Sequence, residues 1–149
     1  MELILGITTT MSIGLMIGTE FAVSAFVNPI LEKLNESARA HATRLFARKL
    51  GKVMPFWYSL NLLLLIGEAI TVRQHSGMAF LATASVIWAS VIVLTLILLV
   101  PINNRIVKMD SATFTDSLRR EHVRWDRLHR WRVLAIGVAM ICMLAGIRL

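Results

Sequence analysis

Long apolar stretches dominate this chain, and a bilayer is the solvent that explains them. Leu3 to about Ile30 carries one charge, Glu20. Met54 to Val72 also carries one, Glu68, and Met78 to Ile102 carries none. At about 1.5 Å per helical residue, each reaches across a hydrocarbon core of about 30 Å. The third is rich in β-branched residues, yet in lipid a helix satisfies its own backbone and an open strand does not. The last apolar run, Val133 to Ile147, is too short to span alone. It works if its helix begins upstream, after Asp116, and enters the membrane near Trp131. The expectation is an all-α, integral membrane four-helix bundle forming one domain over 1–149, with spans at about 3–30, 54–72, 78–102 and 131–147. The first run lacks a basic leader and an A-x-A site, so it reads as a retained helix rather than a signal peptide.

Only 17% of the residues are charged and the mean hydropathy is +0.68; soluble domains average about 25% charged. That argues against a soluble enzyme, a disordered chain and a nucleic-acid-binding module, despite the net charge of +7. The charge has another reading. Lys33, Arg39, Arg44, Arg48, Lys49 and Lys52 crowd one connection. Arg105, Lys108, Arg119, Arg120, Arg124, Arg127, Arg130 and Arg132 crowd another, leaving only Arg73 and Arg148 elsewhere. The positive-inside rule puts both basic connections in the cytoplasm and both termini outside (N-out/C-out), the expected location being a bacterial inner (plasma) membrane.

Ala38, Ala42, Leu45, Phe46 and Lys49 recur at helical spacing, so the first connection reads as a cytoplasmic helical extension or interfacial helix. Asp116 to Arg132 lacks Gly and Pro and reads as helix continuous with the fourth span, with a cap near Asp110 or Ser111. Asn28-Pro29 is expected to kink or break the first helix. Cys142 is the only cysteine, so no internal disulfide forms and no CxxC pattern exists. Cys142 and the methionines read as packing or lipid-facing residues. His41 and His75 read as solvated surface residues.

A few polar residues stand out against this background. Glu20 is costly in a spanning helix, so it must face protein or a wet hollow. It serves either as a tie between helices or as a functional group. Glu68 reads as structural, snorkelling outward or pairing with Arg73. Asn28-Pro29 and Pro101-Ile102-Asn103 punctuate two helix ends on one side, where two amides could share a polar pocket. Trp125, His129 and Arg132 fall at i, i+4 and i+7 on one helix face, suiting a base, a fixed cation and a stacking surface. His122, Asp126 and His129 are the weak candidates for a metal set, against the plainer reading of a charged interfacial helix anchored by Trp125 and Trp131.

The order of these motifs resembles the DUF1772 family of small four-helix membrane proteins, which includes the fungal anthrone oxygenases. The resemblance rests on Gly18-Thr19-Glu20-Phe21, Val27-Asn28-Pro29, Val100-Pro101-Ile102-Asn103, and Trp125, His129 and Arg132 in Arg124 to Arg132. It implies an all-helical membrane domain and, for some members, oxygenation of anthrones by molecular oxygen. By motif position it implies a site of Asn28, Asn103, Trp125, His129 and Arg132, which Glu20 joins on physical grounds.

The leading functional expectation is therefore an oxidoreductase acting on a lipophilic, enolisable aromatic substrate. His129 would be the base, Arg132 and the Asn amides the anion holders, and Trp125 a stacking surface. The sequence requires no cofactor; a metal or haem would replace the need for the substrate anion to donate electrons. The competing expectation is a non-catalytic module binding lipid or a partner helix. Gly6, Gly14, Gly18, Ser12, Ala22 and Ala25 permit close helix contact, including contact between copies in a homo-oligomer. A channel fits less well, since the third span is wholly apolar.

Overall fold

In a computed structural model, residues 2–71, 76–108 and 115–148 are described, and among them there is no strand. Four helices are long and apolar enough to cross a membrane: α1 Glu2–Glu32, α2 Glu36–Thr71, α3 Met78–Lys108 and α4 Asp116–Arg148. Each helix packs on its neighbours in chain order, and α4 closes the ring on α1. The three-residue link at 33–35 makes α1 and α2 antiparallel, as short connections in bundles do.

The bundle is apolar outside as well as inside, unlike a soluble one. Leu3, Ile7, Leu15, Leu63, Ile70, Val86, Ile97, Leu134 and Ile141 are all more than half exposed. Water would penalise that surface, whereas lipid tails accept it. The core is built from Ile13 and Met16 of α1, Tyr58 and Leu65 of α2, Leu81, Ala84 and Trp88 of α3, and Ile136 and Met143 of α4. A smaller cluster of Ala40, Ile102, Ile106 and Leu118 lies at the basic end. Residues 36–52 and 116–132 of the basic connections are thus helix, continuous with spans two and four. Arg105 ties α3 to α4 there through two bonds to Glu121, at 3.1 and 3.0 Å. On α2 the bundle-facing residues are Arg39, Ala40 and Thr43, while Leu45 and Phe46 stay exposed.

Helix ends follow local chemistry. The Asn35 carboxamide oxygen accepts from the Ala38 N–H at 2.9 Å and caps α2. Thr115 Oγ1 accepts from the Leu118 N–H and starts α4. Asp110, Ser111, Arg73 and His75 lie outside the described residues. Gly77 and Gly146 let the α3 start and the α4 end touch backbone to backbone: a Cβ on Gly146 would stand 2.9 Å from the Gly77 carbonyl oxygen.

Asn28-Pro29 does not break α1. A widened turn, Val23–Val27, precedes it, and helix resumes over Asn28–Glu32. The same device recurs in α3, where Thr95–Leu99 widens ahead of Pro101. In each case the proline stands two residues beyond the turn. The extra residue makes room where proline supplies no N–H and crowds the preceding carbonyl. It also shifts the register, so that Glu20, Val23, Asn28 and Leu31 all face inward.

Glu68 departs from expectation as well. It is buried rather than snorkelling, and Thr9 donates to it at 3.2 Å. A carboxylate facing α1 gains a donor that lipid cannot offer.

Candidate functional site

The widened turn of α1 begins three residues after Glu20, and this segment meets α4 at His129 and Arg132. Glu20 and His129 are almost fully buried. Arg132 Nη2 donates to Glu20 Oε2 at 2.6 Å and lies 2.9 Å from His129 Nδ1. That nitrogen is itself 3.1 Å from Glu20 Oε2. On the far side of the ring, His129 Nε2 is 3.0 Å from the backbone oxygen of Glu20.

These contacts fix the imidazole's proton. A carbonyl oxygen can only accept, so Nε2 carries the hydrogen. Nδ1 is left as the basic nitrogen, accepting from Arg132 while the ring is neutral. Once protonated, it becomes a donor facing the Glu20 carboxylate. The trio therefore holds a proton-accepting atom beside a paired anion and a permanent cation. The Trp125 ring lies parallel to the imidazole, 4.6 Å away at 12°, and sets its plane.

The trio lines a cavity of about 160 Å³. Apolar walls come from Leu50, Met54, Ile92, Leu96 and Leu99. Tyr58 and Thr95 add polar groups. The Arg132 guanidinium stands 5.4 Å from the centre of the Tyr58 ring, and its Nη1 reaches Thr95 Oγ1 at 3.5 Å. Three buried polar atoms of these residues make no hydrogen bond of good geometry, Glu20 Oε1, Tyr58 Oη and Arg132 Nε, although Glu20 and Tyr58 lie near enough to interact. Burying such atoms unpaired is costly, so their convergence on one hollow points to a ligand that carries complementary groups.

The expected residues divide. Glu20, Asn103, Trp125, His129 and Arg132 all line this cavity. Asn28 does not; it lines a smaller cavity nearer the basic end, with Asn103, His122 and Trp125. Its amide donates to Asp126. Asn103 lines both cavities, but its amide hydrogen goes to the Ala47 carbonyl at 3.0 Å. Asn28 is thus held away from the larger hollow, and Asn103 reaches it with one N–H already given to Ala47.

The proposed metal set also separates. The Trp125 ring stacks on both His122 and His129, while Asp126 pairs with Asn28 and with Arg130 at 2.9 Å. Among the described residues, no three His, Cys, Asp or Glu side chains converge as metal ligands. On an ideal helix the three share a stripe, but here both imidazoles lie against Trp125 while the Asp126 carboxylate turns to Asn28 and Arg130.

Tyr58, Thr95, Gly51 and Pro55 are site residues that the reading of the sequence missed. Tyr58 had a usable signal. It is the only tyrosine, placed mid-span where its hydroxyl must find shelter from lipid.

A sequence profile of the anthrone oxygenase family matches residues 43–142. The matched stretch contains Tyr58, Asn103, Trp125, His129 and Arg132; Glu20 and Asn28 precede it, and of these only Glu20 lines the larger cavity. No curated protein and no solved structure matches the chain. With more than half of its length matched, the chain belongs to the anthrone oxygenase (DUF1772) family.

Proposed function

We propose that the protein is a membrane-embedded oxygenase acting on a lipophilic, enolisable aromatic compound of the anthrone type. The observation that carries this reading is the buried Glu20–His129–Arg132 trio in an apolar-walled cavity with unpaired polar atoms. A soluble substrate would not need such walls, and a purely structural ion pair would not need the hollow.

His129 Nδ1 takes a proton from the methylene carbon of the substrate, and Glu20 stabilises the imidazolium that results. The electron pair left behind delocalises onto the substrate oxygen, held by Arg132 Nε–H and the Tyr58 hydroxyl. Molecular oxygen takes electrons from this anion and bonds to the carbon, and the imidazolium returns its proton to the peroxide. Loss of the second C–H proton as the O–O bond breaks gives a carbonyl and water. The electrons come from the substrate itself. The basic end of the bundle, from which Trp125 and Arg132 close the cavity, is assigned to the cytoplasmic face.

The test is oxygen consumption by purified protein with 1,8-dihydroxyanthrone, corrected for spontaneous oxidation. Turnover is expected from the wild type. It should fall by about 10²–10⁴-fold in His129→Ala, the range for removing a general base. Equal rates in both, at the spontaneous level, would refute the proposal.

A further inference from the structure

We infer that this cavity is loaded sideways from the bilayer, through a cleft between α2 and α3, by an aromatic ligand whose hydroxyl donates to the Gly51 carbonyl. The inference rests on the cavity being the substrate chamber and adds to it a route and a point of recognition.

The cleft has two edges. On α2, Gly51, Pro55 and Ser59 follow at i, i+4 and i+8; all three line the cavity and all three are exposed. On α3, Leu96 lines the same cavity and is 55% exposed. One hollow therefore reaches from the buried trio to a surface that this fold presents to lipid. The residues on the α2 edge are small, so the gap is not closed by side chains of its own.

The edge also carries an acceptor. In an α-helix the carbonyl of residue 51 receives the N–H of residue 55, and proline has none. The Asn103 amide lies close by, since a Cβ on Gly51 would stand 2.6 Å from its nitrogen. Its hydrogen bond goes one turn away, to Ala47, rather than to the Gly51 carbonyl. Ser59 is committed too, donating to Pro55 O at 2.9 Å. Gly51 lies beside Lys52 at the boundary of the second span; an aromatic ligand seated there displaces water from the carbonyl, so a ligand that brings its own donor is rewarded. Tyr58, 3% exposed, brings a second polar group to the same cavity, its hydroxyl short of good hydrogen-bond geometry with any neighbour.

The test uses the full chain in detergent micelles and two probes: 2-naphthol, which donates, and 2-methoxynaphthalene, which cannot. Binding is read by equilibrium dialysis. Wild type should prefer 2-naphthol. Pro55→Ala supplies the missing N–H and completes the helix, and should weaken 2-naphthol by about three- to tenfold, the worth of one hydrogen bond, while sparing the ether. Ser59→Trp fills the cleft from an exposed position and should exclude both probes.

A preference for 2-naphthol that survives Pro55→Ala, or equal loss of both probes in that variant, would overturn the inference, as would undiminished binding in Ser59→Trp. Because binding is read without turnover, an absence of oxygen consumption alongside these results would count against the oxygenase reading alone.

Discussion

Glu20 is the residue on which the site depends. A carboxylate in the bilayer is expensive, and Arg132 and His129 offset that cost by direct contact. Removing one partner of a buried pair leaves the other charge stranded. Arg132→Met is therefore expected to destabilise the protein by about 3–5 kcal/mol. Glu20→Gln combined with Arg132→Met should recover most of the loss, because no bare charge remains. Thermal unfolding in detergent, run as a double-mutant cycle, measures this; additive losses would show that the pair is not coupled.

Part of the site was legible at this scale. Trp125, His129 and Arg132 share a face by helical period, and a lone glutamate in an apolar run announces itself. What could not be read was the partner across the bundle. Nothing local in α1 says that its glutamate meets α4, and nothing in the α2 sequence says that Tyr58 turns toward an arginine. Asn28 misled because its position beside a proline matched that of Asn103, while Asp126 was free to claim its amide.

At the scale of the element, glycine and proline do most of the shaping. Gly77 and Gly146 lie where backbones touch, so an added methyl group meets atoms that cannot rotate away. Gly146→Ala should cost about 1–3 kcal/mol through overpacking. Gly137, on the same helix, has open space around its missing Cβ. Gly137→Ala should be neutral or gain up to about 1 kcal/mol from helix propensity. Melting temperatures of the two variants should move in opposite directions or, at the least, only the first should fall.

The prolines of α1 and α3 taught the opposite lesson. Sequence rules read Asn28-Pro29 as a kink or a break, and the chain avoids the break by absorbing each proline with one extra residue in the preceding turn. That solution depends on neighbouring helices holding the inward face in register, which no single segment reveals. The apolar runs were easier to find because hydrophobicity sums over many residues. Their helices nonetheless extend beyond the predicted spans, since at the basic end packing onto Ala40 and Leu118 replaces lipid as the stabilising contact.

For the whole molecule the remaining question is orientation, and charge supplies the argument. Apart from Arg148, the exposed basic residues of α2 and α4 sit at one end of the bundle, and the N-terminus of α1 and the C-terminus of α4 sit at the other. Moving a dense group of Lys and Arg across a membrane opposes the potential that drives insertion, so we propose that the basic end stays cytoplasmic. The structure adds that this end is folded helix, tied by Arg105 to Glu121. It must therefore stay or cross as a unit. Single cysteines can decide the matter once Cys142 is replaced by serine. Glu2→Cys and Arg48→Cys are both at exposed positions. In intact bacterial cells expressing the protein, a membrane-impermeant maleimide should label Glu2→Cys at once and Arg48→Cys only after permeabilisation. The reverse pattern would turn the bundle over and place the Trp125 end of the cavity on the outer face. The apolar walls and the cleft between α2 and α3 would be unchanged, because lateral access from the bilayer does not depend on which way the bundle points.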